Sequence, residues 1–125
     1  MRRAAIAVRR GATFIATNDD ATFPAADGLW PGAGSILASI ERASGRRAEV
    51  MGKPHAPMMD AAQKRVGDAE RIAIVGDRVD TDLAGGADRG WTTILVLSGV
   101  TTQEQARDLA PQPDHVIGSI RDIDQ

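Results

Sequence analysis

Four consecutive apolar residues, Ile72-Ala73-Ile74-Val75, end abruptly at Gly76-Asp77. A strand that is apolar at every position is buried on both faces, which is typical of a parallel sheet covered by helices. In such sheets, ligands bind beyond the carboxyl ends of the strands. This short segment therefore predicts the fold class and also where a functional site would lie, next to Asp77.

Other apolar runs recur along the chain and alternate with segments of helical spacing. This alternation predicts an α/β protein with a Rossmann-like, three-layer arrangement around a parallel sheet. Residues 20–34 are rich in proline and glycine and are predicted to form no regular element. Strands are predicted at 13–17, 48–51, 72–75, 92–97 and 115–117, and helices at 35–43, 57–66 and 101–109. A further short helix is predicted to begin at residue 80 or 81 and to end at the glycine pair 85–86 or at Gly90.

The composition excludes several classes of protein. The chain has 125 residues, 42% of them hydrophobic, and a formal net charge of −2, which suits one domain with its own core and gives no broad basic surface. It has no cysteine, which excludes disulfides and thiolate metal sites. No apolar run approaches the ~20 residues of a membrane helix. We therefore expect a soluble, cytoplasmic protein with neither nucleic acid nor a membrane as its partner.

The first ten residues carry four arginines and no acidic residue. One interpretation is a targeting presequence or an arm that binds nucleic acid. The other is an ordinary short helix, with Ala4, Ala5, Ile6 and Val8 on its apolar side and the arginines in solvent. The second interpretation is favoured.

Acidic residues cluster directly after the strand at 72–75. Gly76 allows the chain to turn as it leaves the sheet, and Asp82 lies close enough in sequence to fold back toward Asp77. Carboxylates that converge in this way suit Mg²⁺, a hard cation that prefers oxygen ligands and keeps several waters. The alternative is that Asp80 and Asp82 only cap the next helix, and for Asp80 this alternative is favoured.

A second polar cluster, Gly52-Lys53-Pro54, follows the predicted strand at 48–51. A lysine at a strand end could neutralise a phosphate group as a point charge. The alternative is a solvated surface lysine, although the chain has only one other lysine, Lys64. His55 is interpreted as a residue at the entry of a helix.

Several of these segments together resemble the C-terminal part of a haloacid dehalogenase superfamily phosphatase. The similar subfamily, IIA, has a large α/β cap of the C2 type and includes p-nitrophenylphosphatase, phosphoglycolate and glycerol-3-phosphate phosphatases. The matching segments occur in the family's order and cover nearly the whole chain: Gly11-Ala-Thr-Phe-Ile-Ala-Thr-Asn-Asp-Asp20, Pro31-Gly-Ala-Gly-Ser35, Gly52-Lys-Pro54, Gly76-Asp-Arg-Val-Asp-Thr-Asp82, Leu97-Ser-Gly-Val-Thr-Thr102 and Pro113-Asp-His-Val-Ile-Gly-Ser-Ile120.

The resemblance implies a role for three residues of the predicted core. Lys53 matches the lysine that steadies the phosphate and the nucleophilic carboxylate. Asp77 matches the acid that holds Mg²⁺ directly or through water, and Asp82 matches the second acid of that motif. The resemblance thus implies a phosphatase with Mg²⁺ as its cofactor and a small phosphorylated metabolite as its substrate.

The resemblance also assigns the remaining site residues and a domain boundary. Asn18 and Asp20 match a TNxD element near the end of the cap segment, and with Gly52 they are expected to assist Lys53 in binding phosphate. Residues 1–31 would end the cap, and residues 32–125 would form the second half of the catalytic core.

The chain departs from the family at the nucleophile. These phosphatases attack phosphate with an aspartate in an Asp-x-Asp-Gly-Thr motif, which the sequence lacks. The segment at 14–22 mimics that motif, but Asn18 has no anionic oxygen and cannot act as the nucleophile. The resemblance therefore implies a truncated chain, a gene fragment or a mis-called start that is inactive alone.

Two functions follow from this departure. The first is half of a Mg²⁺-dependent phosphomonoesterase, which would pair with the missing N-terminal half or associate with itself. The alternative is a non-catalytic, Rossmann-like remnant that binds phosphate, a metal or a partner chain.

Overall fold

The computed structural model describes residues 1–123 and contains two compact units. The first unit spans Met1–Gly52 and the second spans Lys53–Gln125. The boundary of cap and core predicted at residue 31 stays a prediction. No helix within the described residues is both long and apolar enough to cross a membrane.

Two helices pack together in the first unit. Helix α1 spans Arg2–Arg9 and packs against α2, which spans Ala33–Ser44. Ala5 and Val8 of α1 are buried, whereas its four flanking arginines are exposed. The arginine-rich start is therefore an ordinary amphipathic helix, as the favoured interpretation predicted. Ala4 and Ile6, also predicted on the apolar side, are exposed.

A short parallel pair of strands completes the frame of this unit. Strand β1 (Ile15–Ala16) pairs with the more distant β4 (Glu49–Val50), and the N–H groups of Glu49 and Met51 extend the ladder to Phe14 and Ala16. Both strands were predicted, each one or more residues longer at both ends. The loops after these strands carry Asn18 and Gly52.

The prediction of no regular element at 20–34 was wrong. Strands β2 (Thr22–Ala25) and β3 (Gly28–Pro31) form an antiparallel hairpin, and Phe23 opposes Trp30 with ring centroids 6.1 Å apart. Gly28 adopts φ +132°, which only glycine adopts without strain, beside the two-residue turn. Proline and glycine here end and reverse strands, and α2 begins at Ala33 instead of Ser35.

The second unit contains a three-stranded sheet in the order β5-β6-β7, with every pair parallel. This confirms the predicted α/β class with a parallel sheet. Its elements are α3 (Ala56–Val66), β5 (Ala73–Gly76), a π-helical turn (Val79–Leu83), α4 (Ala84–Ala87), β6 (Thr92–Val96), α5 (Gln103–Arg107), β7 (His115–Ile117) and a 3-10 turn (Ile120–Asp122).

The core of this unit lies around Leu95, which is fully buried in β6. Leu83 and Ala106 pack with it. Asp114 joins β7 to β6, because its Oδ2 accepts hydrogen bonds of 2.8 Å from both the N–H and the hydroxyl of Thr93. Helix α5 begins at a capping box between Thr102 and Gln105 and is shorter than predicted.

The glycine pair at 85–86 does not end the helix that follows β5. Both glycines are buried inside α4, which continues to Ala87. A Cβ at Gly85 would lie 2.7 Å from Met59 Sδ, and one at Gly86 would lie 3.0 Å from Ile74 Cβ. The pair therefore provides room for close packing against α3 and β5.

Candidate functional site

The chain leaves β5 through an unusually wide helical turn. The N–H groups of Asp82 and Leu83 both donate to the carbonyl of Arg78, and the N–H of Ala84 donates to Val79. π-Helical turns are rare and occur often at functional sites. In this turn the side chain of Asp82 folds back against Gly76 at the carboxyl end of the strand, as its sequence position predicted.

Asp82 is the best-anchored carboxylate of the turn. Its Oδ1 lies 2.5 Å from the Lys53 ammonium, and its Oδ2 accepts a 3.1 Å hydrogen bond from the N–H of Arg78. Only 7% of the residue is exposed. The structure therefore brings Lys53 and Asp82, two of the predicted site residues, into direct contact.

The charge of Asp82 is set by two opposing effects. Burial raises the pKa of its carboxyl, but the hydrogen bond from Lys53 and those from the N–H groups of Arg78 and Asp77 outweigh burial and leave the pKa below its ordinary value. The Lys53 side chain is 52% exposed. The pair therefore presents an ammonium group to solvent while a charged carboxylate holds it in place.

Asp77 is held by a different segment. Its Oδ2 accepts a 2.8 Å hydrogen bond from the N–H of Val100, and its backbone carbonyl accepts from the Thr101 hydroxyl at 2.6 Å. Residues 97–102 match the family in sequence, but the resemblance assigns them no role. Backbone N–H donors leave no residue-specific signal, so this contact was not predictable from residue types.

Of the two predicted metal ligands, Asp77 is the one whose carboxylate is placed to bind Mg²⁺ directly. Oδ1 of Asp77 has no hydrogen-bond partner within residues 1–123, so a hard anionic oxygen is available for Mg²⁺. Both oxygens of Asp82 already accept hydrogen bonds from nitrogen donors. The part of the chain that the structure describes holds no group of three or more His, Cys, Asp or Glu residues placed to bind a metal.

Asp80 does not cap the helix after β5, so that interpretation was wrong. The residue at the N-terminus of the π-helical turn is Arg78, and no side chain caps it. Asp80 instead forms an ion pair of 3.2 Å with the guanidinium of Arg78. The Arg78 guanidinium offers two N–H donors only two residues away. The exposed Asp80 carboxylate can reach them without turning back toward the backbone N–H groups.

Three other predicted residues belong to the first unit. Asn18 is half-buried, and its Oδ1 is buried without a hydrogen-bond partner in residues 1–123. The Asp20 carbonyl accepts a 2.8 Å hydrogen bond from the N–H of Gly34, and Gly52 is buried against the Thr17 carbonyl. These contacts keep the loop at 17–20 close to the start of α2. The role of Asn18, Asp20 and Gly52 in binding phosphate stays a prediction.

Comparison with known proteins identifies the family. Residues 50–123 match the HAD-hydrolase-like family. The chain is 40% identical over 114 residues to dihydroxyacetone phosphatase from Corynebacterium glutamicum. The aligned region covers 90% of this chain and 42% of that protein.

Solved structures agree. The p-nitrophenyl phosphatase from Archaeoglobus fulgidus is 41% identical with a TM-score of 0.86, and the match covers 97% of this chain and 49% of that one. The glycerol phosphate phosphatase from Mycobacterium tuberculosis, determined in complex with magnesium, is 38% identical with a TM-score of 0.81. This match covers 96% of this chain and 37% of that one. The chain thus spans less than half the length of these relatives. It belongs to the haloacid dehalogenase-like hydrolases, and the relatives it resembles are subfamily IIA phosphatases.

Proposed function

We propose that this chain supplies the lysine and metal-binding half of a Mg²⁺-dependent phosphomonoesterase that acts on a small phosphorylated metabolite. The observation that carries the proposal is the contact between Lys53 and the charged carboxylate of Asp82 at the carboxyl end of β5, next to Asp77. The activities of the related phosphatases support the substrate class, and the magnesium complex of one of them supports the cofactor.

Lys53 is the residue that would contact the transferring phosphoryl group. Its exposed ammonium is a point charge suited to phosphate oxygens, and Asp82 fixes its position through the 2.5 Å contact. The pKa of Asp82 lies below its ordinary value, so its carboxylate stays charged and holds the Lys53 ammonium in place. The positive charge would then offset the negative charge that develops on the phosphoryl oxygens during transfer.

Asp77 would hold Mg²⁺ through Oδ1, and Asp82 would contribute through a bound water molecule. When bound, Mg²⁺ supplies charge neutralisation for the phosphate. The attacking carboxylate would come from an Asp-x-Asp-Gly-Thr segment, a motif that does not occur in these 125 residues. In this proposal phosphate passes to that aspartate and then to water.

The test is release of phosphate from p-nitrophenyl phosphate in the presence of Mg²⁺. We expect negligible turnover by this chain alone, and Mg²⁺-dependent turnover once a segment carrying the nucleophile motif is supplied, either fused or in trans. The matched control is the same segment with its nucleophilic aspartate replaced by asparagine.

The alternative of a non-catalytic remnant makes the opposite prediction. A remnant would bind phosphate or metal but would give no turnover with any supplied segment. Turnover by this chain alone that disappears in Asp77→Ala would exclude the remnant and would also contradict the need for a supplied nucleophile.

A further inference from the structure

The turn formed by residues 98–101, after β6, makes three hydrogen bonds to Asp77. The N–H of Val100 donates to Oδ2 at 2.8 Å, and Thr101 donates to the backbone carbonyl from both its N–H, at 3.2 Å, and its hydroxyl, at 2.6 Å. Thr101 is only 9% exposed, so water competes weakly for its bonds. The 98–101 turn therefore fixes both the backbone and one carboxylate oxygen of Asp77.

Gly99 makes this arrangement sterically possible. A Cβ at this position would lie 2.5 Å from Cγ of Asp77 and would overlap Oδ2 as well. Gly99 does not have a positive φ, so its backbone conformation is open to any residue. The three atoms nearest to such a Cβ all belong to the Asp77 side chain, which therefore requires glycine here.

The contact with Val100 leaves the carboxylate with one oxygen that accepts no hydrogen bond within residues 1–123. Oδ2 is occupied by Val100, whereas Oδ1 has no hydrogen-bond partner in the described residues. Mg²⁺ demands nearly ideal octahedral geometry and tolerates little rotation of a ligand carboxylate. Loss of a group that hydrogen-bonds a metal ligand and fixes its orientation typically weakens metal binding by about 10- to 100-fold.

We propose that Gly99, Val100 and Thr101 are positioning residues that orient Asp77 so that Oδ1 alone remains to bind Mg²⁺. This inference rests on the proposed function, because it takes Asp77 to be the metal ligand. It adds that the segment after β6, which carries no titratable side chain between residues 97 and 101, controls the affinity of the metal site.

The test uses the full chain labelled with ¹⁵N and titrated with MgCl₂ alone. The dissociation constant is read from the amide resonances of Asp77 and Val100, and hydrogen exchange of the Val100 amide is measured without metal. We expect Gly99→Ala to weaken Mg²⁺ binding by about 10- to 100-fold, and Thr101→Val to weaken it by about tenfold. Thr101→Ser, which keeps the hydroxyl, should restore the affinity.

Ser98→Ala is the matched control within the same turn. Ser98 is exposed and makes no side-chain hydrogen bond within residues 1–123. This variant should bind Mg²⁺ like the original chain. If Gly99→Ala does not fold, judged by the dispersion of its amide spectrum, the pair Thr101→Val and Thr101→Ser decides.

Two outcomes overturn the inference. In the first, Asp77→Ala abolishes Mg²⁺ binding while Gly99→Ala and Thr101→Val bind as tightly as the original chain. In the second, the Val100 amide exchanges at the same rate with and without the Asp77 carboxylate. If instead the original chain binds no Mg²⁺ but Val100 loses its protection in Asp77→Ala, the proposed metal site fails and the positioning contact stands.

Discussion

A buried carboxylate without partners would take up a proton, because burial penalises its charge. Asp82 keeps its charge because Lys53 and two backbone N–H groups donate to it, and these donors exist only in the folded chain. The pKa of Asp82 is therefore lower in the folded state than in the unfolded state. This difference links the stability of the protein to pH.

Removing the charge of Asp82 should lower stability in a pH-dependent way. A lowered folded pKa gives a contribution that is present above the unfolded pKa, near the ordinary value of 3.8, and is lost as the pH falls through the folded pKa. At pH 7 we expect Asp82→Asn to unfold with about 1–3 kcal/mol less free energy than the original chain. Urea unfolding at several pH values between 7 and 2 measures the difference.

The gap between the two proteins should start to close near pH 3.8 and should be smallest at the lowest pH. Asp80→Asn is the control, because Asp80 is exposed and its ion pair within residues 1–123 is with its near neighbour Arg78. A gap for Asp82→Asn that stays constant across this range would contradict the lowered pKa.

Gly76 should not tolerate a side chain. A Cβ there would lie 2.6 Å from both Cγ and Oδ2 of Asp82, so alanine would displace the carboxylate from its donors. We expect Gly76→Ala to cost about 1–3 kcal/mol of stability, as overpacking does. Urea unfolding measures the cost. Because the variant would lose the Lys53–Asp82 contact, part of this cost should disappear below about pH 3.8, as for Asp82→Asn. An unchanged midpoint would show that the turn can move away from β5.

At the scale of elements, hydrophobic patterning predicted the strands well. The all-apolar run at 72–75 and the β-branched run at 92–97 correspond to the paired strands β5 and β6. The expected burial of the first run on both faces was wrong, because Ala73 is exposed and the rest of β5 is only half-buried. The pattern also placed Lys53, Asp77 and Asp82 at strand ends. It did not reveal the π-helical turn, since an i→i+5 bond has no distinct residue signature.

The hairpin at 22–31 was missed because proline and glycine were taken only as breakers. In the structure these residues occupy positions that a hairpin allows. Pro24 and Pro31 lie in a two-stranded sheet, and Gly28 follows the turn at a positive φ. The signal that could have found the hairpin is the pair Phe23 and Trp30, a favourable cross-strand combination around an Asp-Gly sequence.

Gly28→Ala should destabilise the hairpin. At φ +132° an alanine is strained by about 1–3 kcal/mol even though open space surrounds the position. Trp30 lies in this hairpin and Trp91 in the second unit, so Trp91→Phe leaves Trp30 as the only tryptophan. In that background Gly28→Ala should lower the urea midpoint reported by Trp30 fluorescence. An equal midpoint would mean that the hairpin relaxes at no cost.

At the scale of the whole molecule, large apolar side chains are poorly covered. Within residues 1–123, Leu95 is the one large side chain that is fully buried, whereas Leu29 is 72% exposed and Ile120 is 63% exposed. Exposed apolar surface of this kind favours association. We expect melting at or below about 45 °C, the lower end for ordinary domains, and a sedimentation coefficient that rises with protein concentration. A cooperative melt well above that temperature, with a constant sedimentation coefficient, would contradict this expectation.

In the proposed function, Lys53 is the residue that contacts the transferring phosphoryl group. The most direct measurement is Mg²⁺-dependent hydrolysis of p-nitrophenyl phosphate by the chain combined with the nucleophile segment, compared between Lys53→Ala and Lys64→Ala. Lys64 is exposed in the last turn of α3 and is the only other lysine. We predict that Lys53→Ala lowers kcat by about 10²- to 10³-fold, as loss of one electrostatic donor does, while Lys64→Ala leaves it unchanged. Equal rates for the two variants would contradict a role of Lys53 in phosphoryl transfer.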